Sequence, residues 1–271
     1  MCLLVFAFGV HPHFDLVLAG NRDERHARPT APLDWWSDAP GVLAGRDLEA
    51  GGTWLGVHRN GRFATVTNFR EQQPRLPGGP SRGELVSRFL QGDESPQQYL
   101  DALALDADDY AGFNLLVADA HELWYGCNRT EDFARPLKPG IYGLGNDRLD
   151  APWPKLVRSR ERLTAWVDRG SADSQSLFAI LADRVLAPWG PAEPNAELAR
   201  AASAAFIVHN TYGTRASTVV TRERGRMAIA EQSFTAGGRP AGDMAFALEL
   251  SGTEPVASTE IYKRTPTRMP D

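Results

Sequence analysis

The sequence predicts an α+β sandwich, and three observations carry that reading. Strand-length apolar runs occupy the first and last thirds of the chain, and segments of helical period come in two pairs between them. The regular strand–helix–strand alternation of a parallel sheet is missing. No internal repeat or low-complexity block breaks the pattern, so one domain over residues 1–271 is expected. Residues 70–110 are the one segment able to form a helical excursion from it.

The elements follow in order. Cys2 to Phe8 and Phe14 to Gly20 are apolar runs rich in Val, Leu and Phe, separated by Val10-His11-Pro12-His13 as in a hairpin. Gly52 to Val57 and Phe63 to Asn68 form a second hairpin around Asn60-Gly61, a dipeptide suited to positive backbone angles. Pro74, Pro77, Gly78, Gly79 and Pro80 make a loop that cannot continue a sheet. Ser81 caps a helix to about Gln91, with Glu84 three residues later as in a capping box, and Ser95-Pro96 opens a second to about Leu105. Phe113 to Ala118, Glu122 to Gly126 and Ile141 to Gly143 return to strands. Helices are predicted over Pro154 to Val167, where Leu156, Leu163 and Trp166 recur at helical spacing, and over Asp173 to Ala187. A Pro/Gly-rich segment runs from Pro188 to Pro194. Strands then follow at Ala205 to His209, Ala216 to Arg222, Met227 to Ser233 and Ala245 to Leu250, before a polar tail after Glu254.

Composition excludes several function classes. Lys plus Arg is 29 against 34 Asp plus Glu, a net charge of −5, with no basic stripe of the kind that phosphate binding requires. A nucleic-acid partner is therefore not expected. No apolar run approaches the roughly 20 residues that cross a bilayer, so stable membrane insertion is not expected either. The two cysteines, Cys2 and Cys127, form neither a disulfide framework nor a zinc array, which points to a reducing compartment and no metal. The N-terminal run from Met1 to Val10 lacks a basic start and stops at His11, too short for a secretion signal, and a cytoplasmic location is expected. The six histidines lie scattered without metal-ligand spacing.

Cys2 is the most informative residue. Initiator Met is normally removed before a small second residue, and removal here leaves a thiol and a free α-amine on one residue. Both titrate near neutrality, as an N-terminal nucleophile requires: sulfur attacks a carbonyl while the amine handles the proton. The charged run Asn21-Arg22-Asp23-Glu24-Arg25 closes the second strand, and alternation sets Asn21 and Asp23 on one face with Arg22 and Glu24 on the other. A neighbouring hairpin strand would bring Arg22 or Asp23 beside Cys2. An arginine there favours thiolate, and a carboxylate holds the ammonium form of the amine.

Seven motifs in fixed order extend the reading: Met1-Cys2-Leu3-Leu4, Asn21-Arg22-Asp23-Glu24, Gly51-Gly52-Thr53-Trp54-Leu55-Gly56, Thr67-Asn68-Phe69-Arg70, Ser81-Arg82-Gly83, Gly143-Leu144-Gly145-Asn146 with Pro152-Trp153-Pro154-Lys155, and Tyr212-Gly213-Thr214-Arg215 with Ser217-Thr218. The set resembles the NRDE-motif family, also called the transport and Golgi organisation 2 family, over nearly the whole chain. The resemblance implies an αββα sandwich, two antiparallel sheets flanked by helices, of the N-terminal-nucleophile hydrolase type. Relatives are connected with Golgi organisation, lipid metabolism and haem movement. The chain also looks like the bile-salt hydrolase and penicillin V acylase group, and that resemblance implies a catalytic set of Cys2, Arg22, Asp23, Asn146 and Arg215. In the acylases the Arg and Asp are separated by two residues, whereas Arg22 and Asp23 are adjacent, so either Asp23 or Glu24 faces the amine.

The implied chemistry is hydrolysis of a non-peptide C–N bond in a small acyl compound, without a cofactor. Cys2 attacks the carbonyl, Arg22 keeps the sulfur ionised, Asp23 orients the amine, and Asn146 or Asn68 donates to the oxyanion. Arg215 fixes a substrate carboxylate or supports Cys2. Asn21, Glu24, Trp54 and Asn68 are expected to contact the substrate. The rival reading is a carrier that keeps the fold and holds an apolar ligand, with haem or an acyl thioester as candidates.

Overall fold

The computed structural model describes residues 2–70, 79–187 and 196–250. Thirteen strands among them form two antiparallel sheets. The first contains β1 (Leu3–Phe8), β2 (Leu16–Arg25), β10 (Gly140–Leu144), β11 (Tyr212–Glu223), β12 (Arg226–Thr235) and β13 (Arg239–Glu249), in the order β10-β1-β2-β11-β12-β13. The second runs in sequence order from β3 (Thr30–Trp35) through β4 (Val42–Asp47), β5 (Leu55–His58), β6 (Phe63–Asn68), β7 (Phe113–Ala118) and β8 (Leu123–Cys127) to β9 (Ala134–Pro136).

Period-two alternation builds the layers. On β1, Leu4 and Phe6 turn inward and join Leu16, Leu18, Leu43, Leu55, Phe63, Leu116 and Val220 in a core between the sheets. Leu3, Val5 and Ala7 turn outward, with Val17 and Ala19 of β2, onto α3 (Pro154–Asp168) and α4 (Phe178–Leu181). The second sheet does the same: Ala64, Val66, Leu115 and Val117 pack against α1 (Arg82–Gln91) and α2 (Pro96–Leu103). The result is the αββα sandwich. Close approach of α3 depends on Gly143 of β10, where a Cβ would stand 2.8 Å from Leu156 Cγ.

Several elements depart from the sequence reading. β3, β4 and β9 lie in segments to which the sequence reading assigned no element; β3 contains Pro32 and a bulge, so it lacks clean alternation. The helix expected over Asp173 to Ala187 is a 3-10 turn at Ser174–Leu177 followed by the single turn of α4. It stops there because Asp183 turns the chain, its Oδ1 accepting from Val185 N and its carbonyl from Phe206 N. Ala205 to His209 is not a strand. Its backbone is satisfied by a mixture of side chains and isolated backbone groups: Asn21 donates to Ala205 O, Thr214 Oγ1 accepts from Ile207 N, and Thr214 N donates to Ile207 O. Ser81 makes no side-chain cap, whereas Ser95 and Gln98 form a full capping box. Pro74 to Gly78 of the first expected loop, the Pro188-to-Pro194 segment and the tail after Glu254 lie outside the described residues, whereas Gly79 and Pro80 are among them.

Candidate active site

Strand register assembles the site. On β1 and β2, Leu3 pairs with Asn21; carried one residue further, Cys2 stands opposite Arg22. On the other side Leu4 pairs with Leu144, and the same continuation sets Cys2 beside Asn146. The backbone nitrogen of Cys2 donates to Asn146 Oδ1 at 2.9 Å. Cys2 is half-buried and lines a cleft of about 500 Å³ between the ends of the two sheets and the start of α1. Arg22, Asp23, Glu24, Trp54 and Asn68 line the same cleft, with Arg28, Asp47 and Ser81 to Gly83 among its further walls.

Arg22 is almost fully buried, its guanidinium 4.2 Å above the Trp54 ring and its Nη1 donating to Thr30 Oγ1 at 3.2 Å. Burial lowers its proton affinity, and Glu24, Cys2 and Asp47 act against that. Asp23 lies on the opposite face of β2, as alternation requires. Its Oδ1 accepts from Thr214 Oγ1 at 2.7 Å, while its Oδ2 is buried without a hydrogen-bond partner among the described residues. Burial raises the Asp23 pKa, with Lys155, Thr214 and Arg22 pulling it back. Glu24 is already engaged: Oε1 accepts from Arg25 N at 2.7 Å, and Oε2 lies 4.0 Å from Arg28 Nε. Of the two carboxyls, Asp23 has the buried oxygen that lacks a hydrogen-bond partner among the described residues, whereas Glu24 is paired with arginine.

The structure does not bring every expected residue to the cleft. Asn21 is saturated elsewhere: Nδ2 donates to Leu181 O at 2.9 Å and Ala205 O at 2.8 Å, and Oδ1 accepts from Ser217 Oγ at 2.6 Å. Its amide hydrogens tie β2 to α4 and to the segment at Ala205, and its oxygen ties β2 to β11, which leaves no group for substrate. Arg215 sits at a bulge between Thr214 and Ala216. Its Nη1 gathers the carbonyls of Arg25, His26 and Arg28 at 3.0–3.2 Å, so it staples the turn after β2 instead of lining the cleft. Asn146 also differs from a plain oxyanion donor. One hydrogen of its Nδ2 goes to Asn68 O at 2.7 Å, and its oxygen holds the Cys2 nitrogen.

Sequence reasoning assigned no role to three buried polar residues that support Asn146. Thr67 Oγ1 donates to Gly145 O at 2.6 Å. Asn114 Nδ2 donates to Thr67 Oγ1 at 3.2 Å and to Asp147 O at 3.0 Å, and Tyr125 OH donates to Asn114 Oδ1 at 2.7 Å. Asn114 interrupts the apolar strand β7, and a polar residue in a fully buried strand was the available signal. The α1 side of the cleft is set by backbone contact: Thr53 N donates to Gly83 O at 3.2 Å, and a Cβ on Gly52 would stand 2.5 Å from Gly83 C.

A model of the transport and Golgi organisation 2 family matches residues 1–236. The chain belongs to that family. Relatives within it include the transport and Golgi organization protein 2 homolog of Bos taurus, 35% identical over 261 residues, covering 86% of this chain and 93% of the relative. The Homo sapiens homolog is 37% identical over 198 residues, covering 68% and 71%. Among solved structures, two of conjugated bile acid hydrolase from Clostridium perfringens superpose with TM-scores of 0.53 and 0.57, each at 12% identity. They cover 98% and 99% of this chain, and the same shares of their own. At that identity the likeness concerns the fold alone, the sandwich of two antiparallel sheets flanked by helices. No helix among the described residues is long and apolar enough to cross a membrane.

Proposed function

We propose that this member of the transport and Golgi organisation 2 family is an N-terminal-cysteine amidohydrolase acting on a non-peptide amide of a small acyl compound. The observation that carries the reading is the placement of Cys2. It opens onto the cleft opposite Arg22, with its nitrogen 2.9 Å from Asn146 Oδ1. Removal of Met1 would turn that nitrogen into an amine, and the unpartnered Asp23 Oδ2 offers it a carboxylate. The conjugated bile acid hydrolases that share the fold agree with this class of chemistry.

In the proposed reaction the Cys2 thiolate attacks the amide carbonyl, and the oxygen becomes an oxyanion. The second Nδ2–H of Asn146 and the Asn68 side chain on the cleft wall are the donors at hand. Collapse breaks the C–N bond; the leaving nitrogen takes a proton from the Cys2 ammonium, and a thioester remains on sulfur. Water, deprotonated by the Cys2 amine, attacks the thioester and releases the acid and the Cys2 thiolate, with the amine again protonated. No external oxidant or metal enters this balance. The charged lining of Arg22, Glu24, Arg28 and Asp47 suits an acyl compound with polar groups better than an apolar cargo.

The test pairs intact mass with turnover of a panel of N-acyl amides. The proposal expects an active form lacking Met1 and complete loss of hydrolysis in Cys2→Ala. Full activity with Met1 retained, or hydrolysis undiminished in Cys2→Ala, would overturn it. Ligand binding without turnover in either form would establish the carrier instead.

A further inference from the structure

One buried cation in the structure has no part in the chemistry above. Lys155 lies in the first turn of α3, only 3% exposed. Its Nζ donates to Ala202 O at 2.8 Å and Ala204 O at 3.3 Å, which commits two of its three N–H groups. Those carbonyls belong to the irregular segment that also receives Asn21 at Ala205 and Thr214 at Ile207. Thr214 in turn donates to Asp23. The turn carrying Lys155 is pressed against the strand end that bears Cys2. A Cβ on Gly145 would stand 3.6 Å from the Trp153 ring and 3.7 Å from Cys2 O. Lys155 and the Thr214-bound Asp23 thus both lie toward the helix layer, behind the strand end that bears Cys2.

We infer that Lys155 is the second cation of the Cys2 site, a positioning residue that works through Asp23 and Cys2 and supplies the charge that Arg215 does not. Arg22 approaches from the cleft side of β2, and Lys155 from the helix layer. An ammonium this deeply buried requires a counter-charge. Asp23 and Cys2 are the groups whose negative charge raises the proton affinity of Lys155 against the lowering by burial. Reciprocally, Lys155 favours the ionised Asp23. Arg215 lies with its guanidinium on three carbonyls of the turn after β2. A substrate entering the cleft does not meet Lys155, because Nζ faces the carbonyls of 202 and 204.

The inference rests on reading Cys2 as the reactive sulfur, and its test reads that sulfur directly, without a substrate. Cys2 is alkylated with iodoacetamide at pH 6 and pH 9 and followed by peptide mass, with Cys2→Ala as the background for Cys127. The ratio of the two rates reports the charged fraction of sulfur independently of access. The charged groups bearing on it are Arg22, Asp23, Lys155 and the Cys2 nitrogen. Glu24, Asp47, Arg215 and Glu231 act at one remove through Arg22. Lys155→Met is expected to lower the pH 6 to pH 9 ratio about tenfold, with Lys155→Arg restoring most of it. An unchanged ratio in Lys155→Met, or an equal fall in Lys155→Arg, overturns the inference. Should Lys155→Met not fold, Arg22→Met decides. A ratio still above that of the urea-unfolded chain supports a second cation, and a ratio at or below the unfolded value rules it out. If these ratios move as expected while no amide is hydrolysed, the amidohydrolase reading alone fails.

Discussion

Asn146 Oδ1 accepts a hydrogen bond from the Cys2 nitrogen at 2.9 Å, and through this contact the second sheet governs the reactive end of the first. The loop bearing Asn146 leaves β10 of the first sheet. It is clamped to β6 and β7 of the second by Thr67, Asn114 and the bond from Arg70 N to Asn146 O at 2.7 Å. Cys2 is thus held between layers and not merely at the end of a strand.

On the proposed mechanism, replacing Asn146 by Ala should slow acylation of Cys2 by about a hundredfold to a thousandfold, since that mechanism uses Asn146 as an oxyanion donor and as the anchor of the Cys2 nitrogen. Single-turnover acylation followed by intact mass measures this. A rate within threefold of wild type would show that Asn146 acts only in holding the loop.

Tyr125→Phe leaves the buried Asn114 Oδ1 without its donor. The expected cost is about 1–3 kcal/mol of stability, read by denaturant unfolding. Asn114→Leu should cost more, because it also frees Thr67 Oγ1 and Asp147 O. The acylation rate should fall in both variants even where they remain folded.

Gly52→Ala drives a methyl group to 2.5 Å from the Gly83 carbonyl carbon, a backbone atom at the start of α1 that cannot swing aside. Overpacking of this kind typically costs about 1–3 kcal/mol. The melting temperature should drop and the Ser81-to-Gly83 wall of the cleft should shift, which amide exchange of that segment against the rest of α1 would detect.

His11 predicts a pH effect away from the site. Its ring stacks on Phe14 and Trp166 at 5.0 and 4.8 Å, its Nδ1 accepts from His13 N and Phe14 N, and Nε2 donates to Ser171 O. Burial, with His13 nearby, holds its pKa below the ordinary 6.5, although the bond to Ser171 O opposes this. The unfolded chain therefore binds the proton first. The stabilisation is fully present above about pH 6.5 and is lost as pH falls toward the folded pKa. His11→Gln should flatten that part of the stability–pH curve. A slope between pH 5 and 7 identical to wild type would refute the assignment.

The layered fold was legible because alternation is a local property of extended backbone. Leu3, Val5 and Ala7 against Leu4 and Phe6 already separate into two faces on paper, and so do Asn21 and Asp23 against Arg22 and Glu24. β3 escaped notice because Pro32 and its bulge break that period. Ala205 to His209 misled because an apolar run looks the same whether a ladder of strand bonds or a mixture of side chains and isolated backbone groups satisfies its backbone.

The sequence by itself determined that Cys2 and Arg22 would fall on neighbouring strands, that the sheets would be antiparallel and two-faced, and which family's motifs the chain carries. Tertiary structure alone decided which polar groups reach the cleft. It turned Arg215 onto three carbonyls, spent both ends of the Asn21 amide on α4, Ala205 and β11, left Asp23 Oδ2 without a hydrogen-bond partner among the described residues and buried Lys155 against the carbonyls of 202 and 204. The reason is one of range. Periodicity is written in the dihedrals of each residue, whereas the partner of a long polar side chain is whatever a segment a hundred or more residues away presents within about 3 Å.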